Sequence, residues 1–500
     1  MSQTSEISPR LTYAFAKERG LVVLDAAVRP VVIGARGAPN PWALLEARRI
    51  VDAPITVDEM PLDAFERRLS EIYAVASIDA DTFLQDEAES DLASLAEGLP
   101  RTEDILEAQD DAPVIKLINA IIAEAVKLKA SDIHIEPYEA ALLVRLRIDG
   151  VLREILSLPS RMTPMLTSRV KVMARLDIAE KRLPQDGRIS LALGAKSVDV
   201  RVSTLPARFG ERIVLRILDK EEARLDLDSL GMPQKTSRRF GKVLQRPNGI
   251  VLVTGPTGSG KTTTLYGALN LLNEPSRNIL TVEDPVEYGI DGVGQTQLNP
   301  KVGMTFSSGL RAILRQDPDI VMVGEIRDGE TAQIAIQAAL TGHLVLSTVH
   351  TNSAVGAMTR LRDMGVEPFL LSSTVVAVLA QRLVRRLCPS CKQLNEATAA
   401  EKKIMGTDEN ASLFVHRPKG CGRCGQTGYE GRVGVYELMV INDKLKALIH
   451  DNASEQALAD VAFRDADTLM TCGFRHVHNG LTSIEEVMRV VRQEDEDAIL

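Results

Sequence analysis

Short apolar runs that end in polar residues recur through the second half of the chain. Four of them are rich in β-branched residues and are separated by helix-like stretches: 250–253, 279–282, 320–323 and 344–347. This pattern predicts a parallel sheet that is covered by helices on both faces, which makes the fold class α/β. Ligands of such sheets bind beyond the carboxyl ends of the strands, so the polar residues that follow each run are candidates for a site.

A different pattern marks residues 112–229, where a helix with an apolar stripe precedes strands in which apolar and polar positions alternate. Asp149 and Gly150 between two such strands predict a hairpin turn. Arg201 and Arg216 lie on the strand faces that are turned away from the predicted core. Two interpretations remain open for them: ordinary solvated side chains, or arginines that reach a nucleotide held by another domain or subunit.

The two ends of the chain contain no recognisable chemistry. Residues 1–77 have the pattern of a small α/β domain, and residues 438–500 have the pattern of helices. Between 78 and 111 there are twelve acidic residues against the single base Arg101. This composition predicts an acidic linker or, equally, an acidic helical face within the first domain.

Length and charge limit the possible functions. A chain of 500 residues is long enough for three or four domains. The net charge of −9 argues against a general nucleic-acid binder, because phosphate contacts call for a basic surface. We find no pattern of a signal peptide or a membrane span, so we expect a cytoplasmic protein that reaches a membrane only through a partner.

A phosphate-binding loop between the first apolar run and a helix is the strongest motif. It matches G-x-x-x-x-G-K-[ST], with glycines that let successive backbone N–H groups surround phosphate oxygens. Lys261 is expected to reach the β- and γ-phosphates, and the hydroxyl of Thr262 to bind Mg²⁺. The predicted nucleotide-binding residues are Gly255, Pro256, Thr257, Gly258, Ser259, Gly260, Lys261 and Thr262.

Polar residues at the ends of the other runs supply candidates for catalysis. Glu283 follows the second run, Glu325 the third and His350 the fourth. A carboxylate at such a position can bind Mg²⁺ or orient the attacking water. Taken alone, each residue is more simply interpreted as a surface side chain that follows a strand. Because all of them follow strands expected to end beside one phosphate loop, we interpret them as a group. The sequence therefore predicts a nucleotide-binding site with candidate catalytic residues.

Four cysteines form two C-x-x-C pairs: Cys388, Cys391, Cys421 and Cys424. Two residues between paired cysteines let both sulfurs bind one ion, and four thiolates make a closed, structural zinc site. Two disulfides or free thiols are the alternative. Cys472 is expected to be a small buried apolar residue. Just before the first pair, three arginines (382, 385 and 386) suggest a solvated helical face or, less favoured, a contact with acidic lipid head groups.

Seven segments together resemble the type II/type IV secretion ATPase superfamily, and most closely the assembly ATPases of type II secretion systems, the general secretion pathway protein E family. They are ASDIHIEP at 130–137, the phosphate loop, TVEDPVEY at 281–288, QDPD at 316–319, GEIRD at 324–328, TGH at 341–343 and STVHTN at 347–352. The resemblance implies a PAS-like domain at 112–229, a RecA-like ATPase domain at 230–387 and a zinc lobe at 388–437.

The resemblance also implies roles for single residues. Lys261 corresponds to the Walker A lysine and Glu325 to the Walker B glutamate, while Glu283 belongs to the Asp box and His350 to the His box. No aspartate precedes Glu325, where Gly324 stands instead. We expect Glu325 to activate water and Glu283 to support it. The resemblance favours Arg201 and Arg216 as residues that complete the site of a neighbouring subunit.

The function that the resemblance implies is an ATPase motor that drives pseudopilus assembly and the export of folded proteins. Such a motor is expected to be a hexamer that binds the cytoplasmic domain of general secretion pathway protein L and the platform protein F at the inner membrane, with no nucleic-acid partner. Three rivals remain open. They are a type IV pilus assembly ATPase, a kinase, and a non-catalytic or nucleic-acid-binding module built on the zinc lobe.

Overall fold

The structure is a computed structural model, and it divides into two compact units, Met1–Lys220 and Glu221–Leu500. It describes residues 11–68 apart from 12–14, 17–18, 26–28, 52, 62–63 and 66–67, and residues 112–491 apart from 194–195, 219–226, 228–229, 300–301 and 409. The acidic segment at 78–111 therefore lies outside the described residues.

Among the described residues, the first unit begins with a small three-stranded sheet and a helix at Pro41–Val51. The elements are β1 (Leu21–Asp25), β2 (Val31–Arg36), α1 (Pro41–Val51) and β3 (Ile55–Met60). Strand β2 lies in the middle, antiparallel to β1 and parallel to β3. Ala43, Ala47 and Val51 are spaced four residues apart, so they form one buried face of α1. This confirms the α/β character that the sequence predicts for the start of the chain.

From residue 112 onward, the described residues of the first unit form a six-stranded sheet with two α-helices. The elements are α2 (Ala112–Lys127), β4 (Asp132–Pro137), β5 (Ala141–Ile148), β6 (Val151–Pro159), α3 (Thr163–Met173), β7 (Gln185–Leu193), β8 (Lys196–Ala207) and β9 (Gly210–Leu218). The strand order is β6-β5-β4-β9-β8-β7, and every neighbouring pair is antiparallel. Asp149 and Gly150 adopt positive φ angles of 49° and 83°, which confirms the predicted hairpin turn.

The second unit is built on a seven-stranded sheet in the order β12-β11-β13-β14-β10-β15-β18. The edge strand β18 is Tyr429–Val440. The elements up to β15 are α4 (Gln234–Leu244), β10 (Gly249–Thr254), α5 (Lys261–Leu272), β11 (Ile279–Glu283), β12 (Gly294–Gln297), α6 (Phe306–Ile313), β13 (Ile320–Val323), α7 (Gly329–Leu340), β14 (Leu344–Val349), α8 (Gly356–Asp363), α9 (Pro368–Thr374) and β15 (Val375–Leu387). Every residue of β10, β13 and β14 is buried. The parallel sheet predicted from the apolar runs is therefore confirmed.

The cysteine segment is an insertion between two neighbouring strands of this sheet. It contains β16 (Gln393–Glu396), α10 (Ala399–Ile404) and β17 (Phe414–Arg417), and it leads into β18 (Tyr429–Val440). Strand β18 pairs antiparallel with β15 as the edge strand of the sheet. The sheet thus crosses the domain boundary that the sequence analysis set at residue 387.

The predicted helical face of arginines at 382–386 is wrong, because these residues lie on strand β15. Arg382 is only 3% exposed, and it donates a hydrogen bond to the Asn352 carbonyl oxygen at 2.9 Å. Arg385 donates to the buried carboxylate of Glu486 at 2.7 Å. A strand that is buried on both faces encloses polar residues that a helix would leave in solvent.

Four helices follow β18, as the sequence predicted: α11 (Asp443–His450), α12 (Glu455–Ala462), α13 (Leu469–His478) and α14 (Ile484–Val491). Cys472 on α13 is fully buried, which confirms the prediction for it, and burial raises the pKa of its thiol to about 11. Among the helices that the structure describes, none combines the length and the apolar character that a membrane crossing requires.

Candidate functional site

The phosphate-binding loop connects the end of β10 to the first residue of α5, as predicted. Gly255, Gly258 and Gly260 have φ angles of 147°, 79° and 85°, a region that disfavours residues with a Cβ. Helix α5 starts directly at Lys261, so its free N–H groups face the loop. Ser259 Oγ is buried, and the described part of the chain offers it no hydrogen-bond partner. These features fit a loop that binds an anion.

Lys261 is 9% exposed and lies with its ammonium group against the loop itself. Its Nζ donates hydrogen bonds to the carbonyl oxygens of Gly255 at 2.8 Å and Pro256 at 3.0 Å. Burial lowers the pKa of Lys261 to about 8; Arg382 adds to this shift, and Glu325 opposes it. A phosphate in the loop would give this ammonium a negative partner in direct contact.

Glu325 follows strand β13 and faces the same region. Its side chain is 13% exposed and forms an ion pair with Arg327, and its Oε2 lies 3.4 Å from His350 Nε2. Burial lowers the pKa of His350; Lys261 lowers it further, and Glu325 opposes both. Glu325 and His350 are therefore in contact, and the charge of Lys261 influences the pKa of His350.

Hydrogen bonds hold this group of residues on the sheet edge. The backbone N–H of Ile326 donates to the Thr348 carbonyl oxygen at 2.9 Å, which joins the segment of Glu325 to the end of β14. Thr254 Oγ1 at the end of β10 accepts from the Thr351 N–H at 3.0 Å. The segment that contains His350 is therefore tied to the strand that leads into the phosphate loop.

Glu283 has a different environment, although β11 and β13 are neighbours. It is 2% exposed, and its carboxylate accepts hydrogen bonds from Tyr266, from Thr281 Oγ1 at 2.5 Å and from Gln295 Nε2 at 3.1 Å. Burial, followed by the bond to Glu283, raises the pKa of Tyr266 far above its ordinary value. Glu283 is thus held by neutral donors inside the protein. Two of these donors, Tyr266 and Gln295, were not indicated by any local motif.

Thr262 is exposed in the first turn of α5, and it is accessible to a bound metal ion. A threonine hydroxyl at this position is the Mg²⁺ ligand of phosphate-loop proteins, and a carboxylate such as Glu325 supplies oxygen ligands or orients their waters. The donor set is therefore made of hard oxygen atoms, which suits Mg²⁺.

Arg201 and Arg216 belong to the first unit, whereas the phosphate loop belongs to the second. They are direct cross-strand neighbours on β8 and β9, and Arg188 on β7 continues the same row. Arg216 Nε donates to the buried carboxylate of Asp132 at 2.9 Å, although its side chain stays 57% exposed. The pair therefore lies on the sheet face opposite the apolar core, as predicted.

The four predicted zinc ligands come together at one point. The sulfur atoms of Cys388, Cys391, Cys421 and Cys424 all lie within 4.8 Å of one another. Individual Sγ–Sγ distances are 3.9, 3.8 and 3.7 Å, and all four thiols are free. A tetrahedral ion with bonds of about 2.3 Å separates its sulfur ligands by about 3.8 Å, so these distances match zinc and not disulfides.

Backbone donors prepare the cluster for a metal ion. Burial opposes ionisation of Cys424, but the N–H groups of Cys421 and Gly428, each 3.2 Å from its Sγ, lower its pKa to about 6. A thiolate is the form of cysteine that binds zinc. The donor set and its spacing therefore fit a structural zinc ion.

Comparisons with known proteins agree with these features over the length of the chain. The family model described as "Type II/IV secretion system protein" matches residues 107–489, and a model for an amino-terminal domain of "GSPII protein E" matches residues 10–73. The chain is 54% identical to the type II secretion system protein E of Pseudomonas aeruginosa over 486 residues, 97% of each chain. It is 56% identical to the type II secretion system ATPase E of Vibrio cholerae over 453 residues, 90% of each.

A solved structure also resembles the chain. The pilus retraction motor PilT with bound ADP is 27% identical and has a TM-score of 0.50, and the match covers 77% of this chain and 99% of that one.

Proposed function

The chain belongs to the type II/IV secretion system protein family, and we infer that it is the ATPase motor of a type II secretion system. Hydrolysis of ATP at the phosphate loop drives pseudopilus assembly and the export of folded proteins. The observation behind this inference is an intact phosphate loop on a strand that is hydrogen-bonded to the segment of His350, which contacts Glu325. The chain is also 54% identical to a type II secretion system protein E along 97% of both lengths. The pilus assembly ATPase is the remaining alternative.

Binding of ATP begins with the phosphate loop. The N–H groups of the loop and of the first turn of α5 surround the β-phosphate, and Lys261 leaves the Gly255 and Pro256 carbonyl oxygens to pair with the β- and γ-phosphates. Thr262 would hold Mg²⁺, which would neutralise charge that develops on the phosphate oxygens. This assignment is supported by chemistry: N–H groups and the Lys261 ammonium group suit phosphate oxygens, and the Thr262 hydroxyl suits Mg²⁺.

Glu325 is the residue that we assign to activation of the attacking water. Its side chain is 13% exposed and lies beside Arg327 and His350, whereas Glu283 is 2% exposed and accepts hydrogen bonds from Tyr266 and Thr281. Arg327 and His350 position the Glu325 carboxylate, and the lowered pKa of His350 keeps that imidazole uncharged at neutral pH. Glu283 supports the site indirectly, by fixing the end of β11 beside the segment of Glu325.

We assign Arg201 and Arg216 to a nucleotide bound by a neighbouring subunit of a hexamer. Their alignment on one face and the exposure of Arg216 support this role. Mixed assemblies test it. Subunits with Arg216→Ala and subunits with Lys261→Met are each expected to be inactive alone, and mixing them is expected to restore part of the hydrolysis. If mixtures stay inactive, the arginine does not act across a subunit boundary.

Residues 1–77 dock the motor onto the cytoplasmic domain of general secretion pathway protein L, next to the platform protein F on the cytoplasmic face of the inner membrane. Helix α1 offers a surface for this contact, because Trp42 is 79% and Leu45 is 58% exposed one helical turn apart. Exposed tryptophan is a common anchor of protein interfaces. This docking, and not a membrane span, is the proposed route to the membrane.

The test of this function is a pull-down from solubilised host membranes with three proteins: the full chain, the chain without residues 1–77, and Trp42→Ala. The full chain is expected to retain a secretion platform protein, the truncated chain to lose it, and Trp42→Ala to retain less. Trp42 is the only tryptophan of the chain, so its fluorescence reports the contact directly. Capture of pilus components would support the pilus assembly ATPase instead.

A further inference from the structure

Gln381 is a buried amide that no sequence motif assigned to the site. It lies in the middle of strand β15 and is 1% exposed. Its Nε2 donates a hydrogen bond to the Ser259 carbonyl oxygen at 2.6 Å, and its Oε1 accepts one from Thr264 Oγ1 at 2.7 Å. A single side chain therefore connects the phosphate loop to the first turns of α5.

The orientation of this amide follows from its two partners. A carbonyl oxygen can only accept, so the NH₂ group of Gln381 must face Ser259. The oxygen of the amide then faces the Thr264 hydroxyl, which donates to it. The flipped arrangement would place the amide oxygen against the Ser259 carbonyl oxygen and lose that bond, so the amide has one preferred orientation.

The bond to Ser259 has a consequence for the other side of the same peptide group. The Ser259 carbonyl and the Gly260 N–H belong to one planar trans unit, so they point in opposite directions. When Gln381 holds the carbonyl oxygen toward β15, the Gly260 N–H is turned away from β15. Gly260 is the residue directly before α5, where N–H groups bind phosphate oxygens.

Glycines at two positions let the loop pass close to Gln381. A Cβ at Gly255 would clash with the backbone carbonyl oxygen of Gln381, and a Cβ at Gly260 would lie 3.1 Å from Gln381 Nε2. Both glycines also have positive φ angles. The loop therefore passes directly along β15, where a side chain at Gly255 would meet the backbone of Gln381 and a side chain at Gly260 would crowd its amide.

We propose that Gln381 is a positioning residue for the phosphate loop, which holds the Ser259–Gly260 peptide with its N–H aimed at the β-phosphate of the bound nucleotide. This inference rests on the proposed function, since it concerns how the loop binds ATP and ADP. Gln381 does not touch the reacting atoms. It raises the affinity for any nucleotide that has a β-phosphate, and it leaves the affinity for AMP unchanged.

The experiment measures the affinity of the full chain for ADP and AMP, with Mg²⁺ present, by titration calorimetry and competition. Gln381→Met keeps the length of the side chain but removes its donor and its acceptor. Thr264→Val keeps the donor but removes the bond that orients it. Thr374→Val is the matched control, because Thr374 is 2% exposed and its hydroxyl donates to the Leu370 carbonyl oxygen at 2.6 Å, away from the loop.

Gln381→Met is expected to weaken ADP binding about tenfold and AMP binding less than about twofold, because it leaves a buried carbonyl oxygen without its donor. Thr264→Val is expected to weaken ADP binding about threefold, and Thr374→Val to leave it unchanged. A general loss of stability would lower the melting temperature of all three variants but would not change the ratio of ADP to AMP affinity.

Three results would decide against the proposal. Equal weakening of ADP and AMP, or ADP affinity within about twofold of wild type for Gln381→Met, would overturn the role of Gln381. If Gln381→Met fails to fold, an unchanged ADP affinity in Thr264→Val would overturn the role of Gln381 instead. If the wild-type chain itself binds no ADP, the proposed ATPase function fails first, and the inference fails with it.

Discussion

The phosphate loop and the cysteine cluster lie in the same unit. The loop is suited to a ligand that is exchanged in every cycle, and the cluster to an ion that stays bound. In the loop, Lys261 is hydrogen-bonded to carbonyl oxygens, Ser259 Oγ has no described partner, and Thr262 is exposed. In the cluster, four sulfurs already stand at tetrahedral spacing, three of them on buried residues. A ligand that is exchanged in every cycle needs open positions, whereas an ion that holds a lobe together needs none.

Strand β15 connects the two sites, since it holds Gln381 beside the loop and ends directly before Cys388. The comparison therefore predicts different results for changes at its two ends. Changes at the cluster should affect folding and spare nucleotide binding, and changes at the loop should do the reverse.

Removal of the metal is expected to have the largest effect. Chelation or Cys391→Ser should unfold the insertion between β15 and β18, because structural zinc contributes on the order of 10 kcal/mol to small metal-bound folds. Hydrogen exchange should become fast in β16 and β17 and stay slow in β10, β13 and β14. The matched control is Cys472→Ser, which changes a buried cysteine outside the cluster and should retain the metal. A protein that contains no zinc, or whose insertion survives chelation, would contradict the structural role.

Replacement of the loop lysine is expected to have the next largest effect, and to change ATP hydrolysis instead of stability. Lys261→Met should lower ATP hydrolysis at least about a hundredfold, as the loss of one group that stabilises developing charge does. The melting temperature should not fall, since burial already disfavours the charged form of this lysine.

Lys171 provides the matched control for this substitution. It is also buried, but it forms an ion pair with Glu211 at 2.5 Å. Lys171→Met should destabilise the fold by about 3 to 5 kcal/mol, because it leaves a buried carboxylate without its partner. Equal losses of stability in the two variants, measured by denaturant unfolding, would show that Lys261 is a structural residue.

Proton uptake on nucleotide binding is the smallest predicted effect. The pKa of Lys261 in the empty loop is lowered to about 8, so the group loses its proton as the pH rises through that value. A bound phosphate favours the ammonium form, so ADP binding near pH 8 should take up about half a proton, and uptake should disappear near pH 6.5. Calorimetry in buffers of different ionisation enthalpy measures this number. His350→Gln should show the same uptake; if uptake is lost in that variant, the proton belongs to His350.

Local patterns predicted the parts of both sites that are contiguous in sequence. The phosphate loop and the paired cysteines each place their ligands within a few residues, so spacing alone identified them. Gln381 could not be found this way, because it lies 122 residues from Ser259 and only the order of the strands brings these two residues together. Tyr266 lies 17 residues from Glu283 and belongs to no local motif. Arg382 was assigned to the wrong element for a similar reason, since its burial depends on β15 having neighbours on both sides.

The two acidic residues illustrate the same limit. Glu283 and Glu325 both follow strands of one sheet, and nothing in the sequence separates their environments. The structure does separate them, because Tyr266, Thr281 and Gln295 enclose Glu283. A partly exposed carboxylate beside the phosphate loop and a buried one among neutral donors are expected to affect different properties when they are substituted: turnover for Glu325 and stability for Glu283.

The most direct test of this account is a measurement of ATP binding and single-turnover hydrolysis by Glu325→Gln, with Glu283→Gln measured alongside. We predict that Glu325→Gln binds ATP within about twofold of wild type and hydrolyses it at least about a hundredfold more slowly, because it loses a general base and keeps the loop. Glu283→Gln should unfold more easily and retain more of its turnover. Turnover by Glu325→Gln at the wild-type rate would contradict the assignment of Glu325 to the attacking water.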